Sequence, residues 1–529
     1  MADKTSRRSL TRRRFLAGAG SALTAGSLAT GTLAPSIVEA APRLPGNPFT
    51  LGVASGEPAP DGFVIWTRLA PDLRQGGGMP PAAIVVDWEL ALDARMRRVV
   101  RRGRVTARPD TAHAVHVEIA GLAPQRPYWY RFRAAGIQSP VGRAVTTPAA
   151  GAAVDLYRIA VASCQHYEFG YYSAYRHMVA DRPDLILHLG DYIYENGTNI
   201  QSTRTVRRHP PHEAKTLAQY RERYALYRSD PDLQAAHAWC PWVATWDDHE
   251  VDNDYANDQS EHRAPPAEFL RRRAAAYQAY YEHMPLRRLS RPRGDHMQVY
   301  RRLDIGRLIS LNVLDNRQYR SDQVCGGKRG GSAAITDCEA LSDPNHTMLG
   351  HAQEKWLLGN LGRSTARWNV LAQQQLMAQF IAYDKQKRAL RSNEGWDGYP
   401  GSRERILTFV EQNRVRNTVA LGGDIHSFWV TDLKPDFDKR NAAPVATEFV
   451  GTSISSPGIH YKSRMAHMPS NPHIRYFESR RRGYLLCAVT EDHWLTDLRT
   501  VKNVRDRNSG VDTLRSFYVE SGRAGAWQR

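Results

Sequence analysis

The sequence predicts a layered α/β domain preceded by an all-β sandwich, and three observations carry that expectation. From about residue 48 to 148, alternating runs (FVIWTRL, AIVVDWEL, AVHVEI, YWYRFRA) are separated by Gly, Pro and Asp turns. From Leu156 onward, short apolar runs alternate with long amphipathic stretches of helical period, such as KTLAQYRERYALYRS and EFLRRRAAAYQAYYEHM. Four of the apolar runs stop abruptly at residues able to ligate a metal, and these carry the functional signal.

In chain order, TRRRFLAG places Arg12 and Arg13 ahead of a Gly/Ala/Thr-rich run that ends at IVEA. This is the pattern of a twin-arginine export signal over residues 1–40, cut after Ala40, which implies transfer by the twin-arginine translocase to the periplasm or the medium. The run from Phe15 to Val38 is too poor in Leu, Ile and Phe to anchor well, and no later segment is apolar enough to span a bilayer. Residues 44–149 read as an immunoglobulin- or fibronectin-like sandwich, with GLAPQRPYWYRF as a turn followed by alternating aromatics. No catalytic constellation falls there, so its expected role is packing or presentation. Residues 155–520 form the expected catalytic domain.

Composition excludes disorder, because 42% hydrophobic and 24% charged residues supply an ordinary globular core. The formal charge of +18 falls to about +14 without the first 40 residues. The excess is mostly scattered Arg with no Lys-rich tail, which reads as a solvated basic surface able to attract anions rather than as a nucleic-acid footprint. Of five cysteines, Cys325 and Cys338 flank a Gly-rich loop suited to a local disulfide.

The four strand ends are YRIAVASCQH, LILHLGDYIYE, WVATWDDHE and TVALGGDIHSFW. In α/β sheets the carboxyl ends of strands converge on the ligand site. Each residue alone has an ordinary explanation. Cys164 could be a buried thiol, Asp191 a helix cap, Tyr194 a core aromatic, and His249 and His426 satisfied core histidines. Asp247, Asp248 and Glu250 could be a solvated acidic turn. Those explanations leave the coincidence at four buried strand ends unexplained, and a metal site accounts for it.

A ligand, then GDxxY, a xxHE turn and a late G-x-x-H resembles the calcineurin-like metallophosphoesterase superfamily, in particular its purple acid phosphatase branch. More narrowly, FTLGVASGEP, VIWTRLAP, ASCQ, LGDYIYE, TWDDHEVDNDYA, LDNRQYRSDQ, TMLGHAQEKWL, WDGYP and GGDIHSFW resemble the alkaline phosphatase D family, in order along nearly the whole chain. The resemblance implies a four-layer α/β/β/α sandwich behind the N-terminal β-sandwich, and a two-metal site.

Where the superfamily opens with D-x-H, this chain has Cys164. A thiolate with the Tyr194 phenolate, Asp191 and His426 is an anion-rich set that suits ferric iron, the ion the family implies. At the second site Asp248 stands where the superfamily has asparagine, and Asp424 where it has histidine. Oxygen replaces nitrogen, which favours a hard cation, and the family implies calcium. Asp191 would bridge the two ions. Asn253 and Asp252 are either further oxygen ligands or part of an Asx-rich turn. His166 is read as a neighbour, not a ligand, and His473 as a family-like residue without an assigned role.

The implied reaction is hydrolysis of phosphomonoesters by a metal-activated hydroxide without a covalent enzyme intermediate. No G-x-S-x-G elbow or P-loop lysine suggests otherwise. His249 is the candidate substrate contact and leaving-group acid. Arg317, in LDNRQYR, is a candidate phosphate clamp, with a buried salt bridge as the alternative; Arg403 is a weaker candidate of the same kind. The competing readings are a phosphodiesterase or phospholipase D-type hydrolase on the same site, and a non-catalytic surface-binding protein that keeps a structural metal.

Overall fold

The computed structural model describes residues 44–73, 76–198, 202–326, 330–439 and 441–529, and the expected export signal lies outside them. Two large sheets dominate. The ten-stranded one has Tyr157–Ala162, Leu185–Leu189 and Trp242–Thr245, mutually parallel, near its centre. The seven-stranded one is built around Ile309–Val313, Trp368–Ala372, Thr418–Gly422 and Ala446–Val450, also parallel. Runs such as LILHL, WVAT and TVALG are buried at every position, as parallel strands covered on both faces must be.

The inner faces share one core, where Ile159, Val161, Leu187 and Leu189 join Val313, Val370, Leu421 and Phe449. Helices Ser173–Asp181, Leu217–Arg228, Pro231–Trp239 and Pro266–His283 cover the outer face of the first sheet with a tyrosine-rich layer. Gly350–Gly362 and Pro400–Gln412 cover the second. The order is helix, sheet, sheet, helix. Starts are set locally: Thr216 and Gln219 form a capping box, and Asp230 caps the next helix with Pro231 at its first position. Among the described residues no helix is long and apolar enough to cross a membrane. The segment after Gly483 extends the first sheet, with Arg482–Val489 antiparallel to Tyr157–Ala162 and His493–Val501 and Val511–Glu520 beyond it.

The N-terminal sandwich is present. Val99–Ala107, Ile84–Ala91 and Pro127–Ala134 form one sheet, which packs on Gly62–Arg68 and Ala114–Ile119 through Val86, Tyr130 and Phe132 against Phe63, Ile65 and Val117. Its second sheet does not stop at the sandwich. Val53–Ala59 pairs in parallel with Trp242–Thr245 at Gly56 and Trp242, so the ten-stranded sheet runs through both parts. Side chains reinforce the join. Trp66 Nε1 donates to the Glu282 carbonyl at 3.0 Å, with Arg228 over its ring at 4.1 Å. His116 stacks on Tyr281 at 4.5 Å, and burial lowers its pKa to about 4, so the ring is neutral where it meets the Tyr281 and Met284 carbonyls. Cys325 and Cys338 form the expected disulfide, while Cys164, Cys240 and Cys487 are free and buried.

Trp66 is fully buried at this join. Trp66→Ala should destabilise the protein by about 3–5 kcal/mol, read from the midpoint of urea unfolding.

Candidate metal centre

The parallel strands of both sheets end on the same side, and the turns leaving them carry the expected ligands. Cys164 and Asp191 follow Tyr157–Ala162 and Leu185–Leu189; Asp248 follows Trp242–Thr245; Asp424 and His426 follow Thr418–Gly422. Four of the five adopt the left-handed backbone: Cys164 at φ 57°, Asp191 at 54°, Asp424 at 61° and His426 at 50°. Each such residue costs about 1–3 kcal/mol, so its surroundings must hold it there.

The Glu250 carboxylate accepts from the amides of Asp191 at 3.2 Å, Tyr192 at 2.5 Å and Asp247 at 2.8 Å, and so locks two of the turns together. Cys164 N donates to Gly190 O and Gln165 N to Asp191 O, joining the first two turns. Gly190 has φ 107°, and a Cβ there would lie 2.4 Å from that of Asp247. A Cβ at Gly423 would lie 2.5 Å from Ser163 Oγ. Both glycines permit turns to touch that side chains would hold apart.

The donors form overlapping sets. Ligand atoms of Cys164, Asp191 and His426 lie within 4.8 Å of one another, as do those of Asp191, Asp247, Asp248 and Asp424, and those of Asp191, Asp248 and His249. Tyr194 joins the first set, its hydroxyl donating to Asp191 Oδ2 at 2.7 Å and lying 3.1 Å from His426 Nε2, and Ser456 Oγ donates to it at 2.7 Å. Asp191 belongs to every set. Asn253 sits half-buried in the adjoining turn with its backbone N–H donating to Glu195 Oε1. Asp252 is turned toward Arg272, at 2.9 Å.

These residues fit cations. Buried oxygens Asp191 Oδ1, Asp247 Oδ2 and Asp248 Oδ1 lack hydrogen-bond partners, which is costly unless a positive group faces them. Burial, then the charges of Asp191 and Asp424, push the Cys164 thiol well above its usual range. Burial, then Asp191 and Cys164, do the same to the Tyr194 phenol. Both groups become anionic ligands only with a cation to offset these effects. Burial also raises Asp247 and Asp424 well above the carboxylate range, against the opposing pull of Arg317 and with neighbouring carboxylates adding to it. Asp248 is driven the other way: burial would raise it, but Arg317 and His249 together hold it below that range.

Arg317 is completely buried and does not reach open space. Its guanidinium pairs with Asp247 and Glu394 and lies 3.3 Å from Asp248 and 4.0 Å from Asp424. This geometry matches the buried salt bridge named as the alternative to a clamp. Arg403 pairs with Asp397 at 2.6 Å. The His166 ring lies tilted against Tyr194 at 4.4 Å, and His473 contacts the Gln379 carbonyl. His249 Nδ1 lies 2.8 Å from Glu195 Oε2, and its ring rests on Tyr194 at 4.1 Å. Burial would lower its pKa, but Glu195, Asp248 and Asp191 raise it well above the usual value.

Sequence reasoning left out Asp247, Glu195 and Glu250 as site residues. The acids of TWDDHE are buried rather than solvated. Their run in one short turn after a buried strand was the available signal.

A model of the PhoD-like phosphatases matches residues 159–498, and one of that family's N-terminal domain matches residues 34–148. The chain belongs to the PhoD-like phosphatase family. It is 47% identical over 523 residues to alkaline phosphatase D of Bacillus subtilis (strain 168), covering 97% of this chain and 88% of that protein. A solved structure of PhoD superposes with a TM-score of 0.88 at 47% identity, covering 92% and 93% of the two chains. A purple acid phosphatase from yellow lupin seeds shares the fold, with a TM-score of 0.56 at 11% identity over 88% of this chain and 74% of its own. As a PhoD-like phosphatase the chain is a phosphoric ester hydrolase, and its clustered donors point to dependence on metal.

Gly190→Ala should force the Asp191 and Asp247 turns of this phosphatase apart. The expected outcome is at least about tenfold less bound metal, with a stability loss of about 2–4 kcal/mol. Elemental analysis and urea unfolding read the two effects.

Proposed function

We propose that this phosphatase is exported by the twin-arginine route and hydrolyses phosphomonoesters at a centre of one ferric iron and calcium. Cys164, Asp191, Tyr194 and His426 would hold the iron. Asp191, Asp248 and Asp424, with Asn253, would hold calcium. The observation that carries this reading is that two donor sets of different chemistry, one with thiol, phenol and imidazole and one of carboxylates, share Asp191. When bound, the cations supply Lewis acidity, neutralising the ester oxygens and lowering the pKa of water.

The protein's own residues do the rest. Asp191 and Glu250 fix the spacing of the two donor sets. Arg317 balances part of the carboxylate charge and keeps Asp247 and Asp248 in place, which replaces the clamp role with a positioning one. His249 carries the proton that the leaving oxygen needs. As the oxygen of water bonds to phosphorus, the ester P–O bond breaks, the alcohol departs with the proton from His249, and the proton lost by water restores the imidazolium. Glu195 orients that imidazole through Nδ1, leaving Nε2 as the donor.

Three measurements test this reading. Hydrolysis of 4-nitrophenyl phosphate should stop on treatment with a calcium chelator and return with added calcium; chelator-resistant turnover would overturn the calcium assignment. His249→Ala should lower kcat by about 10²–10⁴-fold while metal content stays the same. Because Glu195 raises the pKa of His249, the donor is lost only as pH rises through that elevated value. In Glu195→Gln the alkaline limb of the kcat profile should therefore move to lower pH, with the acid limb unmoved.

A further inference from the structure

Among the described residues one large apolar side chain is exposed almost completely: Leu289, at 93%, against 57% for Val85, the next. It sits in the middle of the short helical turn Arg288–Ser290, within the segment MPLRRLSRPRGDHM. Both flanks of that turn are anchored. Met284 and Leu286 before it, and Met297 and Val299 after it, are buried in the tyrosine-rich core, and Ser290 is buried as well. Arg293 and His296 close a tight turn by exchanging backbone hydrogen bonds of 2.8 and 3.3 Å. Leu289 is thus presented to solvent from a fixed support, and packing does not account for it.

Charge of one sign surrounds this leucine. The segment carries Arg287, Arg288, Arg291 and Arg293 against Asp295, which faces Arg273 at 3.6 Å. Leu289 also lines a cleft of about 760 Å³ whose wall holds five arginines and two acids, Glu57 and Asp304. Both acids are already met, Glu57 by Arg301 and Asp304 by Arg302. Arg287 and Arg288 share Glu118, at 3.7 and 3.6 Å. Arg291 and Arg293 are exposed and make no ion pair among the described residues. None of these side chains belongs to the donor sets of the metal centre.

We propose that this face docks on an anionic phospholipid membrane, with headgroup phosphates in the arginine-lined cleft and Leu289 entering the layer beneath them. Guanidinium forks match phosphate oxygens, which accounts for the arginines. A soluble polyanion would use those arginines and gain nothing from an exposed leucine. An apolar protein partner would use the leucine and leave the guanidinium groups unpaired. A bilayer offers phosphate above and hydrocarbon below, and so satisfies both. One leucine and a few charges fall far short of an anchor, so the contact is peripheral and reversible. It does not depend on the reaction proposed above.

Co-sedimentation of the metal-loaded protein with lipid vesicles reads this contact. Binding to mixed phosphatidylglycerol and phosphatidylcholine vesicles should exceed binding to phosphatidylcholine alone by at least about tenfold, and should weaken as salt is raised. Leu289→Asp, and separately Arg291→Glu combined with Arg293→Glu, should each lower binding to the mixed vesicles by about tenfold. The urea midpoint and the metal content should stay unchanged in both, because all three side chains are exposed. No binding, equal binding to the two kinds of vesicle, or binding untouched by either variant would overturn the proposal. So would binding that the arginine changes abolish and Leu289→Asp leaves intact, which marks a site for soluble polyanions. A dimer that Leu289→Asp splits without altering vesicle binding would assign the leucine to contact between copies of this chain, and would overturn it too.

Discussion

Charge balance at the strand ends is the constraint on which the rest of this structure depends. Asp191, Asp247, Asp248 and Asp424 bring ligand oxygens within 4.8 Å of one another, and Arg317 is the cation buried among them. Carboxylates this close cannot all ionise beside a single guanidinium, so the site holds protons or takes up metal. Glu394 draws on the same arginine and is itself met by Arg320, which spreads the compensation to a second buried guanidinium. The thiol and phenol of the neighbouring set repeat the logic with softer and weaker acids. Acids that burial leaves ready to hold protons, such as Asp247 and Asp424, let a chain gather so many carboxyl groups without unfolding.

Geometry enforces what charge alone would scatter. Left-handed backbone at Cys164, Asp191, Asp424 and His426 bends the chain sharply just after each strand. The Glu250 carboxylate, bonded to three amides, is the fastener that spans two of those turns. Because the turns are backed by two sheets joined through one core, the donors sit on rigid supports. The Glu195–His249 pair extends this rigidity to the imidazole beside the cluster.

Much of this was legible in the sequence, and what was not has a physical reason. Apolar runs such as LILHL and TVALG identified buried strands, and the abrupt change to polar residues identified their ends. Convergence on one site followed from how parallel sheets work. Arg317 was ambiguous because burial depends on distant residues: its partner Glu394 lies 77 positions later. Glu250 was left out of the site because a run of acids looks the same whether it faces water or backbone amides. The continuous sheet escaped notice because the pairing of Val53–Ala59 with Trp242–Thr245 leaves no local mark. Local chemistry reads well from sequence, whereas long-range pairing does not.

That long-range pairing bears on biogenesis. Tyr157–Ala162 lies between Leu185–Leu189 and Arg482–Val489, so a central strand waits for neighbours roughly 300 residues downstream. The first strands after residue 44 likewise wait for Trp242–Thr245. A ribosome must nearly finish the polypeptide before this sheet can close, and a half-made chain exposes open strand edges that invite mispairing. Threading such a chain through a narrow pore as it emerges would place its two halves on opposite sides of the membrane before they could pair. A chain that completed the sheet before any such passage would avoid that separation.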